Sequence, residues 1–325
     1  MRLTVRREEL DALQPEWLDL LARQAEPIPF VHPVWQRVWL EAFQGDRELL
    51  LLAARDGDTL VGVAPLLREG DRLSLVGHYS ICDYMDVVLD PDRPGEVLSA
   101  VLDSLLAESW SEFELRGLRE ASPTLAALPG LCRGANLTIE QETEAVAPHI
   151  EPPASWDEYQ GSLPKKDRHE LRRKLRRLQA QGELELRSYT AREDIEERLP
   201  RLLRFMVESR SDKAAFMSEQ MGRFFHRMAS TLSGEGLIKL YELELDATPV
   251  AAILCFDLGG QLYMYNSGYD PEYAQFAVGI ASKALCLREA IESGHRCLDF
   301  LRGDESYKYD LGGKDRTVYR CLITR

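Results

Sequence analysis

The stretch from residue 261 to residue 308 constrains the fold more than any other part of the chain. Leu, Met and Asn alternate with Tyr through QLYMYNS (261–267), which predicts a half-buried β-strand. Gly279 then opens a helix whose apolar residues recur every three or four positions, and Gly294 ends it. CLDFL (297–301) is a second short apolar strand. This order predicts a βαβ unit, whose first turn can bind an anion because unpaired N–H groups and the helix dipole meet there.

An internal repeat indicates that the chain contains two similar halves. Three segments recur in the same order: LVGVAPLL (60–67) as PVAAILCF (249–256), RLSLVGHYSICDYMD (72–86) as QLYMYNSGYDPEYAQ (261–275), and EFELRGL (112–118) as CLDFLRG (297–303). The first two pairs are 189 residues apart (249 − 60 and 261 − 72), and the third is 185 apart (297 − 112). This regularity predicts two α/β halves of one design, with chance similarity of common hairpins as the alternative.

The two copies differ at the glycine turn. The first reads SICDYMDVVLDPDRPGE, which stays extended and meets prolines, so its helix is expected only at about 95–109. We therefore expect residues 1–150 to form a degenerate half with a structural or acceptor-side role. Residues 151–325 contain the glycine turn and are expected to form the half that binds an anionic cofactor.

Composition excludes several classes of function. The chain has 325 residues, 45% of them hydrophobic, which suffices for about two domains with cores. A net charge of −14 argues against general DNA binding or attachment to anionic membranes. The charged N-terminal stretch MRLTVRREEL has no apolar segment suited to a signal peptide, so none is expected, and no apolar run approaches the ~20 residues that span a bilayer. Six cysteines without C-x-x-C spacing indicate reduced, buried residues of a cytoplasmic protein, and dispersed histidines indicate no metal site.

The turn and the segment after it resemble a known family. Gln275, Gly279 and Ala281 form Q-x-x-x-G-x-A, close to the Q/R-x-x-G-x-G/A loop of the GNAT acyltransferases but with one residue more before the glycine. The wider run is more specific: a GYDxxY turn, VG opening a helix, then LDFLRGDESYK. It resembles the CelD/BioF2-like GNAT family, which is related to the FemABX peptidyltransferases. PFVHPVWQRVWLEAF near the N-terminus also resembles that family.

The resemblance implies a fold and an activity. The fold would be α/β (α+β), with two tandem GNAT-like halves, each a mixed, mostly antiparallel sheet flanked by helices. The activity would be that of an acyl-CoA-dependent N-acyltransferase, which moves an acetyl or other acyl group from acetyl-CoA or another acyl-CoA to an amine by direct attack. The acceptor would be a small molecule or an amino-sugar or peptidoglycan-type amine. Two alternatives remain: a catalytically silent GNAT-like binding module, and Fem-like aminoacyl or peptidyl transfer from aminoacyl-tRNA.

A basic helix is predicted between the halves. Pro152 and Pro153 mark a boundary, and residues 164–181 carry an apolar stripe of Leu171, Leu175 and Leu178. The same helix contains Lys165, Lys166, Arg168, Arg172, Arg173, Lys174, Arg176 and Arg177. One interpretation is a solvated face whose long side chains cover a seam. The other is contact with a polyanion such as the CoA phosphates, a nucleotide-linked substrate or tRNA. This helix is the sole support for a tRNA partner, and the net charge counts against it.

The resemblance also implies site residues. The loop that would wrap the CoA pyrophosphate consists of Gln275, Ala277, Val278, Gly279, Ile280, Ala281 and Ser282. The catalytic candidates are Lys308, Asp270, Asp304 and Tyr307, and the substrate-binding candidates are Tyr269, Arg302 and Glu305.

Each catalytic candidate has a stated role and a structural alternative. With Gly303, Lys308 matches the G-x-x-x-x-K context in which Fem-like relatives stabilise charge on the reacting carbonyl, so its loss is expected to lower turnover and to leave stability nearly intact. The alternative is an ordinary surface lysine. Asp270, Asp304, Glu272 and Glu305 follow strand ends and are candidate bases, with turn-capping carboxylates as the alternative. Tyr307 could protonate the leaving thiolate, or could serve only in packing.

Overall fold

The computed structural model describes residues 3–325, apart from the side chains at 211 and 212. The chain forms two compact units. The first comprises the chain up to Val146 together with Arg316–Arg325, and the second comprises Ala147–Asp315. This division places the last ten residues with the first half, whereas the sequence prediction of 1–150 and 151–325 placed them with the second.

The first unit is a mixed sheet of eight strands with helices. Its strands are β1 (Thr4–Arg7), β2 (Glu48–Asp56), β3 (Thr59–Glu69), β4 (Arg72–Leu75), β5 (Val88–Leu89), β6 (Glu112–Arg119), β7 (Thr138–Val146) and β14 (Thr317–Thr324). Its helices are α1 (Leu10–Ala22), α2 (Pro33–Phe43), α3 (Pro94–Leu106) and α4 (Pro123–Gly134). The strand order is β1-β2-β3-β4-β6-β14-β7, and β5 pairs with β3. The returning strand β14 therefore lies between β6 and β7 and completes this sheet.

The second unit is a six-stranded sheet in the order β8-β13-β12-β11-β10-β9. Its strands are β8 (His149–Ile150), β9 (Leu184–Tyr189), β10 (Ile238–Leu245), β11 (Thr248–Leu258), β12 (Gln261–Tyr269) and β13 (Cys297–Asp299). Its helices are α5 (Trp156–Ser162), α6 (Lys165–Gln179), α7 (Arg192–Ser209), α8 (Ser211–Phe216), α9 (Glu219–Gly234), α10 (Val278–Glu292) and α11 (Ser306–Asp310). Most of the strand pairs in both units are antiparallel, and helices accompany both sheets. Each unit is therefore the mixed, mostly antiparallel sheet with helices that was predicted.

The predicted βαβ unit is present as β12, α10 and β13. β12 and β13 pair in parallel from Gln261↔Cys297 to Tyr263↔Asp299, as a helical crossover requires. Gly294, with a φ of +76°, ends α10 as expected. The strand is more buried than its alternating pattern predicted, because Leu262 and Tyr263 are both inaccessible. The reason is that α7 packs on β12 as well as α10.

The internal repeat is a repeat of topology. β3 begins at Thr59 and β11 at Thr248, while β4 begins at Arg72 and β12 at Gln261, both offsets equalling the predicted 189 residues. Like β12 and β13, β4 and β6 pair in parallel after an intervening helix. The two halves therefore share the order hairpin, strand, helix, parallel strand.

Gly268→Ala should destabilise the second unit, because the new methyl group would overlap the backbone of Phe205 and Met206 in α7. Overpacking of this kind costs ~1–3 kcal/mol, occasionally more. Gly222→Ala in α9 is the matched control, since nothing lies within 4 Å of its Cβ and alanine favours a helix by roughly 0.5–1 kcal/mol. Denaturant unfolding measures both, and equal stabilities would contradict the close packing of β12 on α7.

Candidate functional site

The parallel ladder between β12 and β13 ends early. The last pair is Tyr263↔Asp299, six residues before β12 ends at Tyr269. After β13 the chain leaves the strand direction at Leu301, where φ is +58°. β12 also contains a bulge at Tyr265, because Asn266 pairs with Leu254 and Met264 pairs with Cys255. A bulge beside an interrupted ladder is typical of a strand edge that serves a binding or active site.

The turn before α10 presents backbone donors at the positive end of the helix. Ala277, with a φ of +57°, connects a short 3-10 helix (Pro271–Phe276) to α10. The N–H groups of Ile280 and Ala281 both donate to the carbonyl of Ala277, at 3.0 Å. The N–H groups of Val278 and Gly279 precede the first bond of the helix and have no backbone acceptor within residues 3–325. These two donors and the helix dipole can hold an anion.

Gly279 is required by a neighbouring side chain. A Cβ at this position would lie 2.8 Å from Cδ1 of Tyr269, so the ring of Tyr269 packs directly on the glycine. The glycine at this position therefore makes room for the ring of Tyr269. Among the other predicted turn residues, Gln275 is exposed, whereas Val278 and Ala281 are buried in the core.

The basic helix α6 lies beside this turn. Its predicted stripe is confirmed: Leu171 and Leu178 are buried, and Leu178 packs in one cluster with Val278 and Ala281 of α10. The guanidinium carbon of Arg177 lies 5.8 Å from the ring centre of Phe276. The apolar side of α6 therefore faces α10, and the end of α6 lies near the start of α10.

Lys308 is buried, with only 2% of its surface exposed. Its Nζ donates to the carbonyl oxygens of Leu301 (3.0 Å), Arg302 (2.8 Å) and Gly303 (3.1 Å), and lies 2.9 Å from Oε2 of Glu305. The alternative of a surface lysine is therefore wrong. The expectation that its loss leaves stability intact also fails on this geometry, because removal would strip three carbonyl groups of their donor.

Glu305 connects Lys308 to the region after α7. Its carboxylate also pairs with Arg210, with Nη1 and Oε1 3.3 Å apart. Burial alone would raise the pKa of Glu305, but the charge and hydrogen bond of Lys308 outweigh it, and the pKa is lowered. The carboxylate of Glu305 therefore stays charged and is a poor general base. Close to Arg210 in sequence, Lys213 donates to Oδ1 of the buried Asn266 on β12, at 2.9 Å.

Lys283 is a candidate site residue that the sequence prediction missed. It lies on the second turn of α10, is 8% exposed, and donates from Nζ to the carbonyl of Gly279 at 3.0 Å. Its Nζ is 4.9 Å from the ring centre of Tyr307. Burial lowers its pKa to about 8; Cys286 and the Glu305 carboxylate oppose this shift, whereas the charges of Arg210 and Lys308 act with burial. The available signal was a single lysine within the apolar run IASKALCL.

The remaining candidates are a capping carboxylate, an exposed carboxylate, a buried tyrosine and an arginine whose carbonyl binds Lys308. Asp270 accepts a hydrogen bond from the N–H of Glu272 at 3.0 Å, so it caps the 3-10 helix, as the structural alternative predicted. Asp304 is exposed. Tyr307 packs edge-on against Phe300, with ring centres 6.1 Å apart, and burial raises the pKa of its phenol. Arg302 contributes its carbonyl to Lys308.

The corresponding place in the first unit is filled by its own chain. Beyond the parallel β4–β6 pairs, the N–H of Met85 donates to the carbonyl of Gly117 at 3.1 Å. The side chains of Met85 and Cys82 lie against Gly77 and are buried. No glycine turn leads into α3, as the sequence predicted, so this copy has neither the turn nor the open strand edge.

Residues 3–325 contain no cluster of three or more His, Cys, Asp or Glu side chains that could hold a metal ion. None of the helices described there has the length and apolarity needed to traverse a membrane.

The second unit matches a known domain family. Residues 165–309 match the family model described as an acetyltransferase (GNAT) domain. The chain therefore carries a GNAT acetyltransferase domain, and the predicted enzyme class, an acyltransferase, is confirmed. The narrower CelD/BioF2-like assignment stays a prediction. No curated protein matches the chain.

Solved structures share the fold over nearly the whole chain. The crystal structure of FemX has a TM-score of 0.65 at 12% identity, covering 97% of this chain and 96% of that chain. L-PGS from Bacillus licheniformis has a TM-score of 0.53 at 13% identity, covering 89% and 90%. A tandem GNAT protein from the clavulanic acid biosynthesis pathway has a TM-score of 0.51 at 15% identity, covering 98% of both chains. These likenesses confirm the predicted fold of two tandem GNAT-like halves.

Lys308→Met should lower the free energy of unfolding by more than about 2 kcal/mol, because each buried group left without a partner costs ~1–3 kcal/mol. Lys314→Met, at an exposed position of the same unit, is the control and should leave stability nearly unchanged. Urea unfolding of both variants provides the measurement. A Lys308→Met variant as stable as the control would show that the three carbonyl groups do not need the ammonium.

Proposed function

We propose that this acetyltransferase domain uses acetyl-CoA or another acyl-CoA and transfers the acyl group to an amine. One observation carries the proposal: the parallel ladder of β12 and β13 ends at Tyr263↔Asp299, in the same βαβ unit whose turn leaves two N–H groups ahead of α10. An extended amide chain ending in a pyrophosphate would fit this pair of features. The thioester of acyl-CoA would supply the activated acyl group.

The residues that would hold the donor follow from these features. The N–H groups of Val278 and Gly279 would bind the pyrophosphate, with the helix dipole and Arg177 adding favourable charge. The edge of β12 beyond Tyr263 would pair with the amides of the pantetheine arm as a strand pairs with a sheet edge. The side chain of Gln275 is exposed and those of Ala277 and Ile280 are partly exposed, while Ser282 is buried and donates to the Gly279 carbonyl at 3.1 Å.

One side chain suits the proton transfer from the acceptor. The acceptor amine must lose a proton to attack, and Lys283, with its pKa lowered to about 8, can take that proton directly or through water. Burial raises the pKa of the Tyr307 phenol and so makes it a weaker acid, and its role in protonating the departing thiolate stays a prediction. In this proposal Asp270 and Glu305 have structural roles, because one caps a turn and the other is paired. Asp304 and the substrate-binding role of Tyr269 and Arg302 stay predictions.

A second candidate function is transfer from aminoacyl-tRNA. The observation that favours it is the basic surface of α6, on which Lys165, Lys166 and Arg177 are exposed. Filter binding of tRNA at physiological salt distinguishes the two functions, because phosphate contacts make affinity fall steeply as salt rises. Tight, salt-sensitive tRNA binding without a response to acyl-CoA would favour this candidate. A silent binding module would bind acyl-CoA but release no thiol with any amine in a broad panel.

Gln275→Glu should weaken acetyl-CoA binding, because it places a negative charge beside the proposed pyrophosphate position on an exposed side chain of equal size. Gln275→Lys, at the same position, should preserve or strengthen binding. Isothermal titration gives both affinities. In a separate unfolding experiment, acetyl-CoA at ~100 times its dissociation constant should stabilise the wild-type protein by about 2.7 kcal/mol. Equal affinities for the two variants would place the pyrophosphate elsewhere.

Lys283 should give turnover a rising dependence on pH. Its pKa is lowered to about 8, so the neutral amine that can act as a base is scarce below that pH and dominant above it. Lys283→Met should remove this limb and lower kcat by ~10²–10⁴-fold, the range for loss of a general base. Lys283→Arg retains a cation that does not titrate and should be equally slow. Thiol release with the best amine of the panel measures all three proteins, and an unchanged pH limb in Lys283→Met would exclude Lys283 as the base.

A further inference from the structure

The second unit contains a cleft of about 610 Å³ among α5, α6 and α10. Three arginines line it, Arg172 and Arg176 from α6 and Arg288 from α10, together with His169. No carboxylate is among the lining residues of the described chain. Arg288 is paired with Glu292 at 2.7 Å, so the excess positive charge comes from Arg172 and Arg176. In a chain with 54 acidic and 40 basic residues, this is a local reversal of charge that favours an anionic ligand.

Each of the two α6 arginines in the cleft is held by a hydrogen bond from its Nε. Nε of Arg172 donates to Oε1 of the buried Gln160 at 3.0 Å, and Nε of Arg176 donates to the carbonyl of Arg172 at 3.3 Å. Both guanidinium groups are thus fixed through Nε, and within the described chain their terminal nitrogens make no ion pair. By contrast, Arg173 and Lys174 on the same helix are both paired with Glu170. Fixed arginines with available terminal N–H groups suit a phosphate.

The rest of the cleft is suited to a flat ring. Trp156 lines it and is itself supported by Tyr159, with ring centres 4.9 Å apart and planes tilted by 30°. Leu175 and Leu285 add apolar surface. An aromatic ring with an apolar floor beside fixed guanidinium groups is the combination that binds a phosphorylated nucleoside, by stacking on the base and by charge on the phosphate.

The cleft lies further along α10, C-terminal to the turn that precedes the helix at Val278. Leu285 is seven residues after Val278, which is about 10 Å along a helix. Gln179, at the end of α6 that reaches the turn, also lines the cleft. In CoA a single ribose separates the pyrophosphate from the 3′-phosphate, and the adenine extends from the same ribose. A CoA held by its pyrophosphate at Val278 and Gly279 could therefore extend its nucleoside end along α10 into the cleft.

We propose that this cleft binds the 3′-phosphoadenosine end of CoA, with Arg172 and Arg176 on the 3′-phosphate and Trp156 against the adenine. The inference rests on the proposed function, since it assumes the pyrophosphate at the turn of α10. The basic helix then discriminates CoA from donors that lack the 3′-phosphate. The same chemistry would fit a free adenosine 3′,5′-bisphosphate, which the experiment separates from CoA.

The experiment compares dissociation constants for CoA and 3′-dephospho-CoA by isothermal titration. Wild-type protein should bind CoA roughly 10-fold or more tightly than 3′-dephospho-CoA, as expected for charge-assisted hydrogen bonds. Arg172→Gln/Arg176→Gln should bind the two equally, with affinity for 3′-dephospho-CoA unchanged. Arg176→Gln alone, which leaves the bond between Arg172 and Gln160 in place, should lose part of the preference. Arg173→Gln, on the same helix but paired with Glu170, should keep the full preference.

The outcomes separate this inference from the proposed function. A preference for CoA that survives in the double variant overturns the inference but leaves the proposed function standing. An equal loss of affinity for both ligands also overturns it, because the arginines would then act only through general charge. If wild-type protein binds neither ligand, the proposed function fails. Adenosine 3′,5′-bisphosphate that then binds wild type but not the double variant would show a free nucleotide as the occupant, and so overturn the CoA assignment.

Discussion

The loop after β13 depends on the ammonium group of Lys308. Positive φ angles at Leu301 (+58°) and Gly303 (+114°) belong to a backbone whose three successive carbonyl groups converge on one point. Buried carbonyl groups that converge repel one another and are costly without a donor. A single –NH₃⁺ group supplies three donors and a charge, and the charge in turn holds Glu305. The start of α11 and the position of Tyr307 follow from this arrangement.

The two halves show how one topology can carry different contents. In each half a parallel pair of strands is followed by a place where the sheet edge could receive an extended chain. The first half uses the N–H of Met85 and the side chain of Cys82 to fill that place. The second half leaves its strand edge beside a helix turn with two available donors. The difference arises from the turn: glycine and a left-handed Ala277 lead directly into α10, whereas prolines delay α3.

Features that depend on local pattern could be predicted from the sequence. The βαβ unit follows from periodicity and glycine positions. The α6 stripe follows from the spacing of Leu171 and Leu178. The burial of Lys283 and Lys308 could not be predicted, because a lysine is buried only where distant segments supply acceptors or a ring. The place of β14 in the first sheet likewise depends on pairing with residues about 200 positions away, which no local pattern encodes.

The pairing of β14 between β6 and β7 also sets an order of events during synthesis. The second unit is one continuous segment, Ala147–Asp315, so all of its strands have been synthesised before Thr317 is added. The first unit, although synthesised earlier, has a gap between β6 and β7 until Thr317–Thr324 emerges. Edges of an incomplete sheet expose unpaired backbone groups and attract other chains. The half that is made first is therefore the last to close, and its exposure to misassembly lasts for the time the ribosome needs to translate the other half.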